Sequence, residues 1–248
     1  MTYNTQGHPR GVAPTLLYNQ PMQMSHLRAV LFDLDGTLIN SIDQIVACWQ
    51  HAVRTCLGRE ISREEVLPTL GRALLECFEE LAPGRGEELR QAYRAYQKIT
   101  HDHMVTPVSG TREALERLRA AGITLGIVTS KGLPMTMEGL NLFGLAPYFD
   151  VLVTYEDTER HKPHPDPLLV AAQRTGIEPA NTLYVGDAVV DIQAGKAAGT
   201  WTAGVTWGAS TRDALAAACP DYIFDSMEEL AHAVVGGTRD LRPMRSAG

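Results

Sequence analysis

Asp33 and Asp35 stand two residues apart in DLDGTL, directly after the apolar run AVLF. Residues i and i+2 of an extended chain point the same way, so the spacing predicts two carboxylates facing one crevice at the carboxyl end of a strand. Gly36 permits a sharp exit that keeps the backbone out of that crevice. A D-x-D opening also begins a calcium-binding loop, but here the loop-glycine position holds Leu38 and position twelve holds Gln44 rather than Glu. The calcium reading therefore fails.

Three further groups have residue types that could join the pair. Thr129 and Ser130 end the run ITLGIVTS, where a hydroxyl and free backbone N–H groups can bind a phosphoryl oxygen. Taken alone, a Thr-Ser pair after a strand is a turn or a helix cap. Lys162 lies in RHKPHPDP, where prolines on its following side stiffen the loop, and it is one of only four lysines in the chain. Asp187 and Asp191 lie one helical turn apart in GDAVVD, after the run TLYV, and singly each could be no more than a partner for a helix dipole. In order, the strand ends supply a carboxylate pair, a hydroxyl, a cation and a second carboxylate pair. That is the inventory phosphoryl transfer needs.

The elements that must position these groups are legible too. RAVLFDLD, ITLGIVTS, DVLVTY, NTLYVGD, TWTAGVTW and the weaker YIFDS alternate with helical patterns. Their continuous apolar character suits strands covered on both faces, so the chain is expected to be α/β, a doubly wound, Rossmann-like parallel sheet. TREALERLRAAG places Ala114, Leu115, Leu118 and Ala121 on one helical stripe with Gly122 as its stop. PDPLLVAAQRTG repeats the design, ending at Gly176.

From Ser41 to about Thr106 the alternation breaks into an all-helical block with no convincing strand. A capping box, Ser41 with Gln44, is expected to open a helix carrying Ile42, Ile45, Val46, Trp49, Ala52, Val53 and Cys56 on one face, with Gly58 ending it. A second box follows at Ser62 and Glu65, and Leu89, Ala92, Tyr93, Tyr96 and Ile99 form a later stripe. Such a block after the first strand reads as a small helical cap. The expected divisions are a flexible extension at 1–24, the α/β core at 25–40 and 107–237, the cap at 41–106 and a tail at 238–248.

Composition narrows the partners. The 29 acidic residues against 22 basic give a net charge of −7, which repels nucleic acid and acidic membrane surfaces. An anionic substrate must be drawn in by local positive groups. No apolar run approaches the roughly 20 residues that cross a bilayer. The stretch LLY near the start is too short for a signal-peptide core, and no basic region precedes it, so the first residues read as an extension from an upstream start codon. Cys48, Cys56, Cys77 and Cys219 form no C-x-x-C pair and read as reduced thiols of a cytoplasmic protein. Oligomeric state, monomer or homodimer, is not encoded in any of these features.

The ordered set DLDGT, the Thr of VTSK, the Lys of HKPHPDP, and GDAVVD resembles the four motifs of the haloacid dehalogenase superfamily of phosphatases, over about Leu27 to Val235. The resemblance implies that Asp33 attacks phosphorus to give an aspartyl-phosphate. Magnesium would be held by Asp33, the Asp35 backbone carbonyl and Asp187. Asp35 would protonate the leaving oxygen and then activate water, and Thr129, Ser130 and Lys162 would bind the transferring phosphoryl group. Asp191 would act from behind, orienting Lys162 or the water on the ion. Ala188 departs from the pattern, since many relatives carry a small hydroxyl or amide side chain there.

Dehalogenating relatives lack an acid at the position of Asp35, which favours phosphate chemistry. Phosphonate-cleaving relatives use a cap lysine, and the only one here, Lys98, lies near the far end of the block, which disfavours that branch. Arg72, in PTLGRALLE, is expected to reach over the site as an anion clamp. The closest resemblance is to phosphoglycolate phosphatases and inorganic pyrophosphatases of the superfamily, so the expected substrate is a small phosphorylated metabolite or pyrophosphate. A phosphomutase would use the same two aspartates but keep water away. A non-catalytic binding protein on this fold would have lost an essential residue, and none is missing.

Overall fold

In a computed structural model of the chain, residues 24–236 are described. The expected extension, apart from Met24, and the expected tail lie outside these residues. Met24 itself is buried against the core.

The strands in chain order are β1 (Ala29–Phe32), β2 (Ile39–Asn40), β3 (Thr106–Pro107), β4 (Thr124–Val128), β5 (Val151–Val153), β6 (Thr182–Gly186), β7 (Trp201–Val205) and β8 (Tyr222–Phe224). All six runs expected as strands are present, and they form one parallel sheet in the order β5-β4-β1-β6-β7-β8. The order reverses direction between β1 and β6, which opens a crevice at the carboxyl ends of those two strands. Asp33 follows β1 and Asp187 follows β6, so the two carboxylates flank that point.

The helices are α1 (Ile42–Leu57), α2 (Arg63–Val66), α3 (Leu74–Leu81), α4 (Gly86–Met104), α5 (Thr111–Ala120), α6 (Leu133–Leu142), α7 (Asp166–Thr175), α8 (Val189–Ala198), α9 (Arg212–Ala217) and α10 (Met227–Gly236). Alternation along the strands divides the core between the two faces of the sheet. Val30, Phe32, Leu183 and Val185 pack with Leu115 and Leu118 of α5 and Leu230 of α10. Leu31 and Tyr184 point the other way, to Leu168 of α7 and Ala194 of α8. Each fully buried Leu or Phe contributes roughly 1.5–3 kcal/mol, enough in aggregate to hold polar strand ends in a fixed array.

Helices α1 to α4 form the cap, with a hydrophobic cluster of its own in which the rings of Trp49 and Phe78 lie 4.2 Å apart. The chain leaves the core through β2 and returns through β3, and these pair antiparallel as a two-residue ribbon that the sequence pattern did not announce. The capping box at Ser62 and Glu65 forms. The box at Ser41 and Gln44 does not: Ser41 Oγ donates to Asp35 Oδ1 at 2.6 Å, and buried Gln44 donates to the Gln97 carbonyl. Tertiary partners outbid the local cap. The α4 stripe holds at Leu89 and Tyr93, but Ile99 is 70% exposed. The last turns of α4 pack instead through Gln97 and His101, because there the helix meets the polar start of α1 rather than the cap's apolar cluster.

Candidate active site

A tight turn brings DLDGTL round the end of β1. Leu34 accepts backbone bonds from Thr37, Leu38 and Ile39, and Gly36, at φ +81°, is so close to Asp187 that a Cβ there would collide with its carboxylate. Thr37 Oγ1 donates to Asp187 Oδ1 at 3.1 Å, and the Ala209 N–H donates to Asp187 Oδ2 at 2.7 Å. Behind Asp33, Lys162 Nζ lies 3.1 Å from Asp33 Oδ1 and 2.7 Å from Asp191 Oδ1. The Tyr184 hydroxyl is 3.1 Å from both Lys162 Nζ and Asp191 Oδ1. Asp191 Oδ2 accepts from the Ala188 N–H at the start of α8, and Ala188 has no oxygen with which to return that bond.

Three carboxylates and one ammonium thus share a dry space. Burial pushes Asp33 up to about 7, an effect that Lys162 opposes and that Asp191 and Asp35 reinforce. Burial also pushes Asp187 up to about 8, with the charges of Asp191 and Asp33 adding to it. Burial alone would lower Lys162, but Asp191 and Asp33 more than offset it and hold the ammonium charged. One oxygen atom from each of Asp33, Asp187 and Asp191 can lie within 4.8 Å of the others. Asp33 Oδ1 accepts no well-aligned hydrogen bond despite its nearness to Lys162. An all-oxygen donor set with an under-satisfied buried oxygen fits a hard divalent cation. Asp191 is committed to the Lys162 ammonium at 2.7 Å, whereas the donors to Asp187 are neutral and Asp33 Oδ1 has no aligned donor, so Asp33 and Asp187 are the candidate ligands.

A cavity of about 330 Å³ opens above this floor, between core and cap. Asp33, Asp35, Thr129 and Ser130 line it, whereas Lys162, Asp187 and Asp191 lie buried beneath. The Ser130 hydroxyl donates to the Gly71 carbonyl at 2.7 Å and so fastens the cap loop to the core. Arg72 reaches the cavity wall as expected, but Glu80 holds its guanidinium through two bonds, so it is not a free clamp. Lys98 also lines the cavity. Its late position in the block is no argument against proximity, because α4 runs back toward the core.

The structure adds groups that sequence reasoning passed over. Lys131 Nζ lies 2.7 Å from Asp35 Oδ1, the oxygen that Ser41 also contacts. Lys131 stands inside the VTSK motif, so adjacency to Thr129 was the available signal. Arg90, Arg94 and Lys98 recur every four residues on α4 and all face the cavity. That spacing was visible as a cationic stripe, but nothing in it says what the stripe faces. Tyr184, in the middle of β6, carried no signal of its contact with Lys162.

Comparison with known proteins agrees with this geometry. The sequence profile described as haloacid dehalogenase-like hydrolase matches residues 30–205. The chain belongs to the haloacid dehalogenase-like hydrolases. A curated relative, Pyrophosphatase PpaX of Bacillus pumilus (strain SAFR-032), is 40% identical over 215 residues, covering 87% of this chain and 99% of the relative. Among solved structures, a putative haloacid dehalogenase-like hydrolase from Bacteroides fragilis superposes with a TM-score of 0.77 at 30% identity, over 82% of this chain and 99% of that one. A predicted phosphoglycolate phosphatase from Haemophilus somnus 129PT superposes with a TM-score of 0.74 at 25% identity, over 83% and 96%. The chain is accordingly a hydrolase of the phosphatase type. No helix among the described residues is long and apolar enough to cross a membrane.

Proposed function

We propose that this hydrolase is magnesium-dependent, works through an aspartyl-phosphate on Asp33, and takes pyrophosphate in preference to phosphoglycolate-like monoesters. The observation that carries the reading is the gathering of Asp33, Asp187 and Asp191 about Lys162, beneath a cavity that also presents Asp35. Asp33, Asp187 and the Asp35 carbonyl would hold Mg²⁺, which when bound neutralises the crowded negative charge of carboxylates and phosphoryl oxygens. Lys162 favours the charged form of the Asp33 carboxylate and orients it, and one oxygen of that carboxylate attacks phosphorus as the bond to the leaving oxygen breaks. Asp35 gives a proton to the leaving oxygen and then takes one from the water that opens the acyl phosphate. The Thr129 hydroxyl, at the end of β4, binds a transferring oxygen. Asp191 and Tyr184 fix Lys162 in place.

Residues 41–106 are read as the cap that closes over this chemistry, with 25–40 and 107–237 as the core. The cytoplasm is the proposed place of work, supported by four free thiols. Preference for pyrophosphate is supported by the 40% identity to Pyrophosphatase PpaX along nearly all of that relative.

Ranking kcat/KM with Mg²⁺ over pyrophosphate, phosphoglycolate, sugar phosphates and nucleotides tests the reading. Pyrophosphate is expected to lead by about tenfold or more, which corresponds to about 1.4 kcal/mol of transition-state discrimination. Uniformly poor rates, or isomerisation of a sugar phosphate without phosphate release, would count against it.

Metal linkage supplies a second check. Carboxyls whose folded-state pKa is raised stabilise the fold below their ordinary value and lose that contribution as pH rises through the folded value. For Asp33 and Asp187 the window runs from the ordinary 3.8 to about 7 and about 8. In EDTA, Tm should fall across that window. Added Mg²⁺ should raise Tm more above it than near its lower end, and an equal shift at both ends would remove these two residues as ligands.

A further inference from the structure

Five cations, Arg72, Arg90, Arg94, Lys98 and Lys131, line the cavity against three carboxylates, Asp33, Asp35 and Glu156. Local charge is therefore opposite in sign to the chain's −7. Most of these cations have fixed partners: Arg72 pairs with Glu80, Arg90 with Glu87, and Lys131 with Asp35. Arg94 and Lys98 make no ion pair among the described residues. They lie one turn apart on the same face of α4. Exposed cations on a helix are ordinarily just solvated, but these two are turned toward the catalytic cleft.

Their position within the cleft is specific. A guanidinium nitrogen of Arg94 comes within 3.8 Å of where a Cβ on Gly132 would sit, so the side chain reaches from the cap to the loop after Thr129. The neighbouring residue on that loop is Lys131, whose Nζ touches Asp35. Arg94 thus stands beside the loop whose Lys131 is the partner of Asp35. Glu156, also near Gly132, accepts from the Leu133 N–H and the Thr154 hydroxyl through one oxygen and so caps the start of α6.

We infer that Arg94 and Lys98 form a subsite for a second anionic group on the leaving side of the substrate, the far phosphate of pyrophosphate or the carboxylate of a phosphorylated small acid. The inference rests on the hydrolase reading above and assigns its specificity to α4. Arg72, the expected clamp, remains with Glu80. The guanidinium suits a forked, bidentate contact, and the lysine adds a mobile point charge one turn further along.

The test measures Arg94→Met, Lys98→Met and the double variant, all full-length with Mg²⁺, on pyrophosphate, phosphoglycolate and p-nitrophenyl phosphate. The last has no second anion on its leaving group. Each single change should lower kcat/KM about 10- to 100-fold on the two substrates with an anionic leaving side, mostly through KM, with p-nitrophenyl phosphate nearly unchanged. Arg94→Lys should recover part of the loss. Loss confined to pyrophosphate assigns the subsite to phosphate, and loss confined to phosphoglycolate assigns it to carboxylate. An equal fall on all three substrates, or no fall on any, overturns the subsite while leaving the hydrolase reading standing. Absence of Mg²⁺-dependent turnover of every substrate by the unaltered protein overturns both.

Discussion

Asp33→Asn is expected to reduce Mg²⁺-dependent turnover by about 10⁴-fold or more, the scale on which loss of a covalent nucleophile acts. The amide keeps the shape of the carboxylate but has neither its nucleophilic oxygen nor its charge for a cation. The fold should survive, because the substitution removes a negative charge that burial first, and then Asp191 and Asp35, disfavour more than Lys162 favours it. Lys162 also retains Asp191 at 2.7 Å. Phosphate release and the thermal midpoint, measured on the same preparation, separate the two effects. Near-normal turnover would rule out Asp33 as nucleophile, and loss of the folded transition would show its role to be structural.

Lys162→Met should damage both activity and stability. The ammonium is almost wholly buried and shared by two buried carboxylates, so its removal leaves charges with neither water nor a counterion. Breaking such a group from one side costs about 3–5 kcal/mol. In a domain of this size that lowers Tm on the order of 10 °C. Turnover should fall about 10²- to 10³-fold, as when one preorganised electrostatic partner is lost from a transition state. The cause can be isolated by combining Lys162→Met with Asp191→Asn. If an unpaired charge is responsible, the double variant is more stable than the sum of the single effects. Simple additivity would point to lost packing around the lysine stem instead.

Strand ends and helix ends were legible because their signals are local. The run AVLF followed by DLDGTL says where a strand stops, Gly58, Gly122 and Gly176 say where helices stop, and each occupies a left-handed position. The motif groups could be expected on one side of the sheet because parallel strands with helical crossovers bring their carboxyl ends to the same edge. What the aspartates contact there was not legible. The failed box at Ser41 shows why: its hydroxyl had a local partner in prospect and found a better one in Asp35 once the cap had folded over the site.

The sequence by itself determined the doubly wound core and which carboxylates, hydroxyl and lysine stand at the carboxyl edge of its sheet, since these follow from strand periodicity and residues at strand ends. Only the tertiary structure decided which cations face the substrate. That depends on the angle at which α4 returns from the cap, an outcome of packing against α1 and α3. A stripe of Arg90, Arg94 and Lys98 reads the same in the sequence whether it meets water or the cavity above Asp33 and Asp35.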